Sequence, residues 1–461
     1  MISISFHGAA GTVTGSKYLI KVNNRQVLVD CGMFQGRREL RQKNWEPVQF
    51  EIDQISAVIL THAHIDHTGF LPKLSKLGFD KTIYATPPTV DITKLSLLDA
   101  AHIQEEDAEY RNKKKLTRYE EALPLFTQED VEAIDQQYKS VPFGEWVKIG
   151  EEIKFRYNIV GHILGAASVE MVLDDGSKKV SILFSGDIGR YGNPLVNDPL
   201  PAEKTDYLVC ESTYGGRMHE PEDPYFVFSE IINDIIKRKS ILLIPAFSVG
   251  RTQQIAYLIH DLIKNKRIPP IKIHIDSPMA IKSTDIYIKY ADYHKVPICD
   301  LGGKNCVLNG EHVELHRKRK SSKLLNKLTG PAIIMSASGM MTGGRILHHL
   351  INRLPDPSTT ILIPGFMAEG TTGRKLVDGA DVIYIHKQPV AVKAKIVKMH
   401  GLSGHADYQE ILHWLDLLNI PPQKVFITHG EDSQRAAMAV HLKTKKNWDC
   451  HIPELHETVE L

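Results

Sequence analysis

Thr61-His62-Ala63-His64-Ile65-Asp66-His67 decides how this sequence is read. Three imidazoles and a carboxylate follow directly on the apolar run Ser56-Ala57-Val58-Ile59-Leu60. That run reads as a buried strand, so the four polar groups gather at its carboxyl end. Imidazole nitrogen combined with carboxylate oxygen suits Zn2+; an all-oxygen Mg2+ cage has a different make-up. The chain contains 22 histidines, so chance clusters occur. Four candidate ligands packed at one strand end are nevertheless rarely structural.

Outward from this stretch, further donors sit in similar places. Asp30 ends Leu28-Val29-Asp30, and Asp187 ends Phe184-Ser185-Gly186-Asp187. His162 is followed by small residues in Gly161-His162-Ile163-Leu164-Gly165-Ala166. Glu211 lies in Val209-Cys210-Glu211-Ser212-Thr213, His405 in Ser403-Gly404-His405-Ala406-Asp407, and His429 in Phe426-Ile427-Thr428-His429-Gly430. Taken singly, each has an ordinary reading as a turn residue, a satisfied core histidine or a capping carboxylate.

Together and in this order, H-x-H-x-D-H, Asp30, His162 and Asp187 resemble the metallo-β-lactamase superfamily. Glu211, His405 and His429 look like the three additional motifs of the β-CASP family, the nucleic-acid nucleases of that superfamily. Ser336-Ala337-Ser338-Gly339-Met340 and Gly365-Phe366-Met367-Ala368-Glu369-Gly370-Thr371 look like that family as well. The resemblance covers essentially the whole chain and points to the RNA-cleaving group that includes the eukaryotic pre-mRNA 3′-end endonuclease and its bacterial and archaeal relatives. His429 is the RNA-type residue, where DNA-processing members usually carry Val. One departure is Gly404, where relatives often have Ala. The sequence shows neither the KH-type extension of archaeal relatives nor the long C-terminal domain of ribonuclease J, so no expectation about docking or dimerisation is taken from those additions.

The resemblance implies an α/β fold, a metallo-β-lactamase αββα sandwich with an inserted α/β β-CASP domain. The first domain would comprise residues 1–208 and 396–461 and the insertion residues 209–395, with the active site in the cleft between them. It also implies two Zn2+ ions. His62, His64 and His162 would hold one, Asp66, His67 and His429 the other, and Asp187 would bridge them. Two metals about 3.5–4 Å apart clamp a phosphodiester and lower a water pKa towards about 7. Asp30 would stand behind the ligands, orienting a histidine or the bound water. His405 is the candidate general acid, held in the right tautomer and favoured in its protonated form by Glu211. The catalytic candidates are therefore Asp66, Asp30, Glu211 and His405. Substrate contacts are expected from the loop of Ser336, Ser338 and Gly339, as a backbone anion nest, and from Ser248 and Arg251 between a strand and a helix. Both loops also read as plain strand-to-helix turns.

Composition sets the outer limits. The 461 residues carry 56 Lys+Arg against 55 Asp+Glu, a net charge of +1. This argues against binding a polyanion through bulk charge alone and says nothing against a local basic groove. Lys113-Lys114-Lys115 and Arg317-Lys318-Arg319-Lys320 read as solvated surface or as phosphate contacts. Apolar runs at 180–184, 241–244, 271–275, 332–335, 360–363 and 425–428 read as strands, and 225–239 and 252–264 have helical spacing. This alternation predicts sheets covered by helices. The polar stretch around 100–140 reads as exposed helices and loops.

Cys31, Cys210, Cys299, Cys306 and Cys450 are scattered without a C-x-x-C pair, which argues against a disulfide framework or a Cys-based zinc ribbon. The opening MISISFHGAAG does not read as a signal peptide, and no apolar run approaches the ~20 residues of a membrane span. A cytoplasmic setting with no membrane partner is expected. Gly8, Gly11 and Gly15 mimic a dinucleotide-binding loop, but Thr12-Val13-Thr14 and Tyr18-Leu19-Ile20 favour a second strand over the helix such a loop opens. No nucleotide cofactor is expected. The leading reading is a zinc-dependent ribonuclease on single-stranded RNA, endonucleolytic with 5′-exonuclease activity open beside it. A small-molecule hydrolase of the same superfamily leaves Glu211 and His405 unexplained. An inactive RNA-binding scaffold would normally have lost ligands. A homodimer stays open.

Overall fold

Val27, Val29, Ala57 and Ile59 face one hydrophobic cluster while Leu28, Val58 and Leu60 face another. Successive side chains of a strand point to opposite faces, so these strands are covered on both sides, and that is why they read as unbroken apolar runs. They belong to a seven-stranded sheet in the order Thr458–Glu460, Ile2–Phe6, Tyr18–Val22, Arg25–Val29, Ile55–Ile59, Thr82–Ala85, Tyr138–Ser140. The computed structural model describes residues 1–117, 120–297, 300–301, 306–368, 370–418 and 420–461. Cys299 and Glu369 lie outside the described residues.

A second seven-stranded sheet runs Cys450–His451, Lys424–Ile427, Tyr207–Cys210, Lys179–Phe184, Ala167–Asp174, Ile153–Ile159, Val147–Ile149. Phe155, Val169, Met171, Phe184 and Phe426 from this sheet pack against Phe6, Ile20, Val29 and Ile59 from the first. Helices Leu71–Lys76 and Pro87–Lys114 cover the outer face of the first sheet through Leu71, Leu74, Val90 and Leu97. Helix Asp432–Lys446 lies against strand Lys424–Ile427 of the second. The result is the αββα sandwich, formed by Met1–Gly192, Asn197–Met218 and Gly404–Leu461.

Asn193–Val196 and His219–Ser403 form a second unit. Its six-stranded sheet is ordered Val313–Leu315, Ile273–Ile275, Ala332–Ser336, Ile241–Pro245, Thr360–Ile363, Lys395–Lys398. Every pairing in it is parallel. Helices Pro224–Arg238 and Arg251–Lys264 cover one face, and Ile346–Arg353 and Thr372–Val377 the other.

The units divide at Met218 and Ser403 rather than at 208 and 395. Hydrogen bonding explains the difference. Strand Tyr207–Cys210 is held between Lys179–Phe184 and Lys424–Ile427, whereas Lys395–Lys398 pairs with Thr360–Ile363. The polar stretch at 100–140 begins inside the 28-residue helix Pro87–Lys114, whose first half buries Val90, Ile92 and Leu97. Residues 7–17 join the antiparallel strands Ile2–Phe6 and Tyr18–Val22, with no helix opening there. Cys31, Cys210, Cys306 and Cys450 are free thiols. Among the described residues no helix is long and apolar enough to cross a membrane.

Phe155 is fully buried between the two sheets of the sandwich. Phe155→Ala is expected to lower stability by about 3–5 kcal/mol, read as a lower urea midpoint at unchanged slope.

Candidate metal centre

Parallel pairing brings the candidate residues to one edge of the sandwich. Strands Arg25–Val29 and Ile55–Ile59 run parallel, as do Lys179–Phe184, Tyr207–Cys210 and Lys424–Ile427. Asp30, residues 61–67, Asp187, Glu211 and His429 all follow the carboxyl ends of these strands. The chain turns sharply there. Asp30 and His429 hold left-handed backbone, with φ of 58° and 48°, conformations most often tolerated by Asp, Asn and His among non-glycine residues. At Gly32 a Cβ would lie 1.6 Å from the carbonyl oxygen of Asp66, so only glycine admits this close backbone pass.

Two groups of donors converge. His62 Nε2 lies 3.1 Å from His64 Nδ1, which lies 3.2 Å from His162 Nε2. Asp187 Oδ2 is 3.3 Å from His62 Nε2 and 3.6 Å from His162 Nε2. In the second group His67 Nε2 is 3.2 Å from His429 Nε2, which is 3.6 Å from Asp66 Oδ2. The other oxygen of Asp187, Oδ1, lies 3.4 Å from His67 Nε2 and 3.4 Å from His429 Nδ1. One carboxylate therefore faces both groups. Ligands tetrahedrally disposed about zinc at about 2.0–2.1 Å are about 3.3–3.4 Å apart, close to these spacings. Asp187 Oδ1 is moreover buried with no hydrogen-bond partner, an arrangement that is costly unless a cation offsets it. The donor set fits zinc.

The far nitrogens of His62, His67 and His162 are occupied, which aims the near ones. His67 Nδ1–H donates to Asp30 Oδ2 at 2.7 Å, and His162 Nδ1–H to the Gly404 carbonyl at 2.9 Å. His62 Nδ1–H donates to Thr61 Oγ1 at 3.1 Å, and the Thr61 hydroxyl donates onward to Asp30. His429 Nδ1, which faces Asp187 Oδ1, also lies 3.1 Å from Thr213 Oγ1. The sequence reading anticipated Asp30 but not Thr61, Thr213 or the Gly404 carbonyl. An added Cβ on Gly404 would meet His162 Cε1 at 3.3 Å, so the departure from Ala gives that ring room.

Charge follows from the same packing. Burial lowers His62 to about 3 and also lowers His64 and His162, leaving neutral imidazoles with free lone pairs. Burial alone would raise the carboxyl of Asp187, but His429, His67 and His62 outweigh it and hold it well below the usual range. Asp66 is held low against burial by His429 and His67. Lys17 is another element that sequence reading missed. Its buried ammonium donates to the carbonyls of Gly32 and Gly15, tying together the loops behind the site, and burial lowers its pKa to about 8.

His405 stands beside the donor groups. Its Nδ1 is 3.3 Å from Glu211 Oε2 and 4.0 Å from Asp187 Oδ2. Backbone N–H groups of Ile188 and Thr213 fix the Glu211 carboxylate at 2.6 and 3.3 Å. Burial would lower His405, yet Glu211, Asp187 and Asp66 raise it to about 9.

The expected substrate residues belong to the second unit, and two are turned inward. Ser336 is 2% exposed and its hydroxyl donates to the Asp276 carbonyl at 3.0 Å. Ser248 is 9% exposed, with its Oγ 3.3 Å from Ser277 Oγ. Gly339 is buried against the Phe247 ring. The N–H groups of Ser338, Met341 and Thr342 are used within their own loop, by Gly343 O, Ser338 O and Ser338 Oγ. Ser338 and Arg251 are partly exposed.

A cluster of His and Asp donors at the strand ends of an αββα sandwich defines a metal-dependent hydrolase of the metallo-β-lactamase fold. Residues 10–227 match the Metallo-beta-lactamase superfamily, 252–376 the Beta-Casp domain, and 389–453 the Zn-dependent metallo-hydrolase RNA specificity domain. The chain belongs to the β-CASP family of metallo-β-lactamase-fold ribonucleases. It is 33% identical to Ribonuclease TTHA0252 of Thermus thermophilus over 434 residues, 94% of each chain. It is 30% identical to the RNase J-like protein of Methanocaldococcus jannaschii over 97% of each chain. It is 27% identical to the transcription termination factor FttA of Methanosarcina mazei, covering 100% of this chain and 72% of that one. A crystal structure of a protein of unknown function from Enterococcus faecalis V583 shares the fold, with a TM-score of 0.57 at 14% identity over 100% of both chains.

Asp30→Asn keeps the shape of the side chain but weakens its hold on the His67 Nδ1–H. It is expected to reduce metal affinity by about 10–100-fold in a chelator competition titration, with the fold retained.

Proposed function

We propose that the protein is a zinc-dependent ribonuclease that hydrolyses phosphodiester bonds of single-stranded RNA during RNA processing or decay. The observation that carries the reading is the joining of two donor groups through Asp187, with the Glu211–His405 pair beside them. The names of the relatives, a ribonuclease and an RNase J-like protein among them, favour RNA as the substrate. Internal cleavage is the mode proposed, and 5′-exonuclease action is the one to separate from it.

His62, His64, His162 and Asp187 would hold one zinc ion, and Asp66, His67, His429 and Asp187 the other. When bound, the pair of ions supplies charge neutralisation of the scissile phosphate and a lowered water pKa. The chain's own residues do the rest. Asp30 and Thr61 keep His67 and His62 in the tautomers that point Nε2 inward. Glu211 takes the Nδ1–H of His405, which leaves the proton on Nε2 for the departing oxygen of the cleaved strand. Arg251 and Ser338, the partly exposed pair of the second unit, are the residues proposed to contact the RNA backbone. Few such contacts are needed, in keeping with the net charge of +1.

Zinc-loaded protein is expected to cut a labelled single-stranded RNA, and internal products from both 5′-phosphate and 5′-hydroxyl substrates would mark the endonucleolytic mode. RNA left intact across several substrates would refute the proposal. His405→Ala is expected to retain zinc and lose at least about 100-fold in cleavage rate; loss of zinc as well would remove the general-acid assignment. A general acid works only while protonated, and Glu211 favours that form. Glu211→Gln is therefore expected to move the alkaline fall of kcat/KM to lower pH.

A further inference from the structure

A second set of metal donors lies in the other unit, on the parallel sheet. Strands Ile273–Ile275 and Val313–Leu315 pair with His274 directly opposite Glu314. Ile273 and Ile275 belong to the hydrophobic cluster on one face, and Val313 and Leu315 pack against the same cluster. Side chains alternate along a strand, so His274 and Glu314 share the opposite face, with His316 two residues further on. His274 Nδ1 is 3.0 Å from His316 Nε2 and 3.4 Å from Glu314 Oε2. These are again the separations of ligands around one zinc-sized ion. Lys272 does not compete for the same atom, since it approaches the other carboxylate oxygen, Oε1, at 3.5 Å.

A single proton has to serve the three facing atoms. If His316 Nε2–H donates to His274 Nδ1, the lone pair of that nitrogen also faces the Glu314 carboxylate. If His274 Nδ1 carries the proton, that one proton faces two acceptors, His316 Nε2 at 3.0 Å and Glu314 Oε2 at 3.4 Å. A cation among His274 Nδ1, His316 Nε2 and Glu314 Oε2 turns opposed lone pairs into ligands.

We propose that His274, Glu314 and His316 form a further transition-metal site, two imidazoles and a carboxylate with a coordination position left for water. Zinc suits this donor set. The ion would fasten an edge strand that pairs with its neighbour over only three residues. His316 also accepts from Arg345 through its carbonyl oxygen at 2.6 Å, and the same Arg345 nitrogen bonds Asp276 at 2.6 Å. A bound ion would therefore steady the segment from which Arg345 and the neighbouring Ser338 loop are hung. Glu314 is 47% exposed, so the site is open to ions from solution.

The test counts zinc on the full chain by native mass spectrometry and titrates it at buffered free zinc. Wild-type protein is expected to bind one equivalent more than Glu314→Gln, or to bind that equivalent at least about tenfold more tightly. It should also gain more thermal stability from zinc than the variant does. Glu314 is exposed, so the variant should fold, and circular dichroism checks that it does. His62→Ala, which removes a donor only from the first unit, should leave the extra equivalent in place. Equal stoichiometry and equal affinity in wild type and Glu314→Gln would overturn the proposal. So would loss of the extra equivalent in His62→Ala, because the ion would then belong to the first unit.

Discussion

Asp187 is the residue around which the rest is arranged. It is 2% exposed, its oxygens face imidazole nitrogens on both sides, and one oxygen has no hydrogen-bond partner. Burying an ionised carboxylate costs several kcal/mol unless partners offset it. The neutral imidazoles of His62, His64 and His162 turn lone pairs inward, while Asp187 and Asp30, against burial, hold His67 well above the usual histidine range. Positive charge placed among them offsets both the buried carboxylate and the opposed lone pairs. The same concentration of donors that is costly in the bare protein is what would bind zinc tightly.

The sandwich holds this arrangement against its own repulsion. Two sheets end their parallel strands at one edge, so residues far apart in the chain leave the core together. Hydrogen bonds from behind stop the rings from rotating away: Asp30 and Thr61 behind His67 and His62, and the Gly404 carbonyl behind His162. Gly32 lets the Asp66 backbone pass at a distance no side chain permits. Left-handed turns at Asp30 and His429 complete the aim. Metal affinity, tautomer choice and the backbone of the loops are thus one problem with one solution.

Much of this was legible in the sequence, for particular reasons. H-x-H-x-D-H is local, so neighbouring residues and a preceding apolar run are enough to see it. Asp30, His162, Asp187 and His429 each read as ordinary turn or core residues, and only their order, through the family resemblance, drew them together. Thr61, Thr213 and the Gly404 carbonyl act through contacts between distant segments, which no spacing reveals. The inward turn of Ser248 and Ser336 was not legible, because a strand-to-helix turn looks the same whether its hydroxyl faces solvent or the core. The unit boundaries depend on which sheet accepts Tyr207–Cys210 and Lys395–Lys398, a matter of hydrogen bonds rather than composition. His274 and Glu314 became neighbours only through the register of two parallel strands.

The central claim is that the donors about Asp187 hold two ions joined by that one carboxylate. Anomalous diffraction at the zinc edge, from crystals of protein prepared with zinc, tests it most directly. The account predicts two strong peaks on either side of Asp187, one among His62, His64 and His162, the other among Asp66, His67 and His429. A single peak there, or two that do not share Asp187, would contradict it.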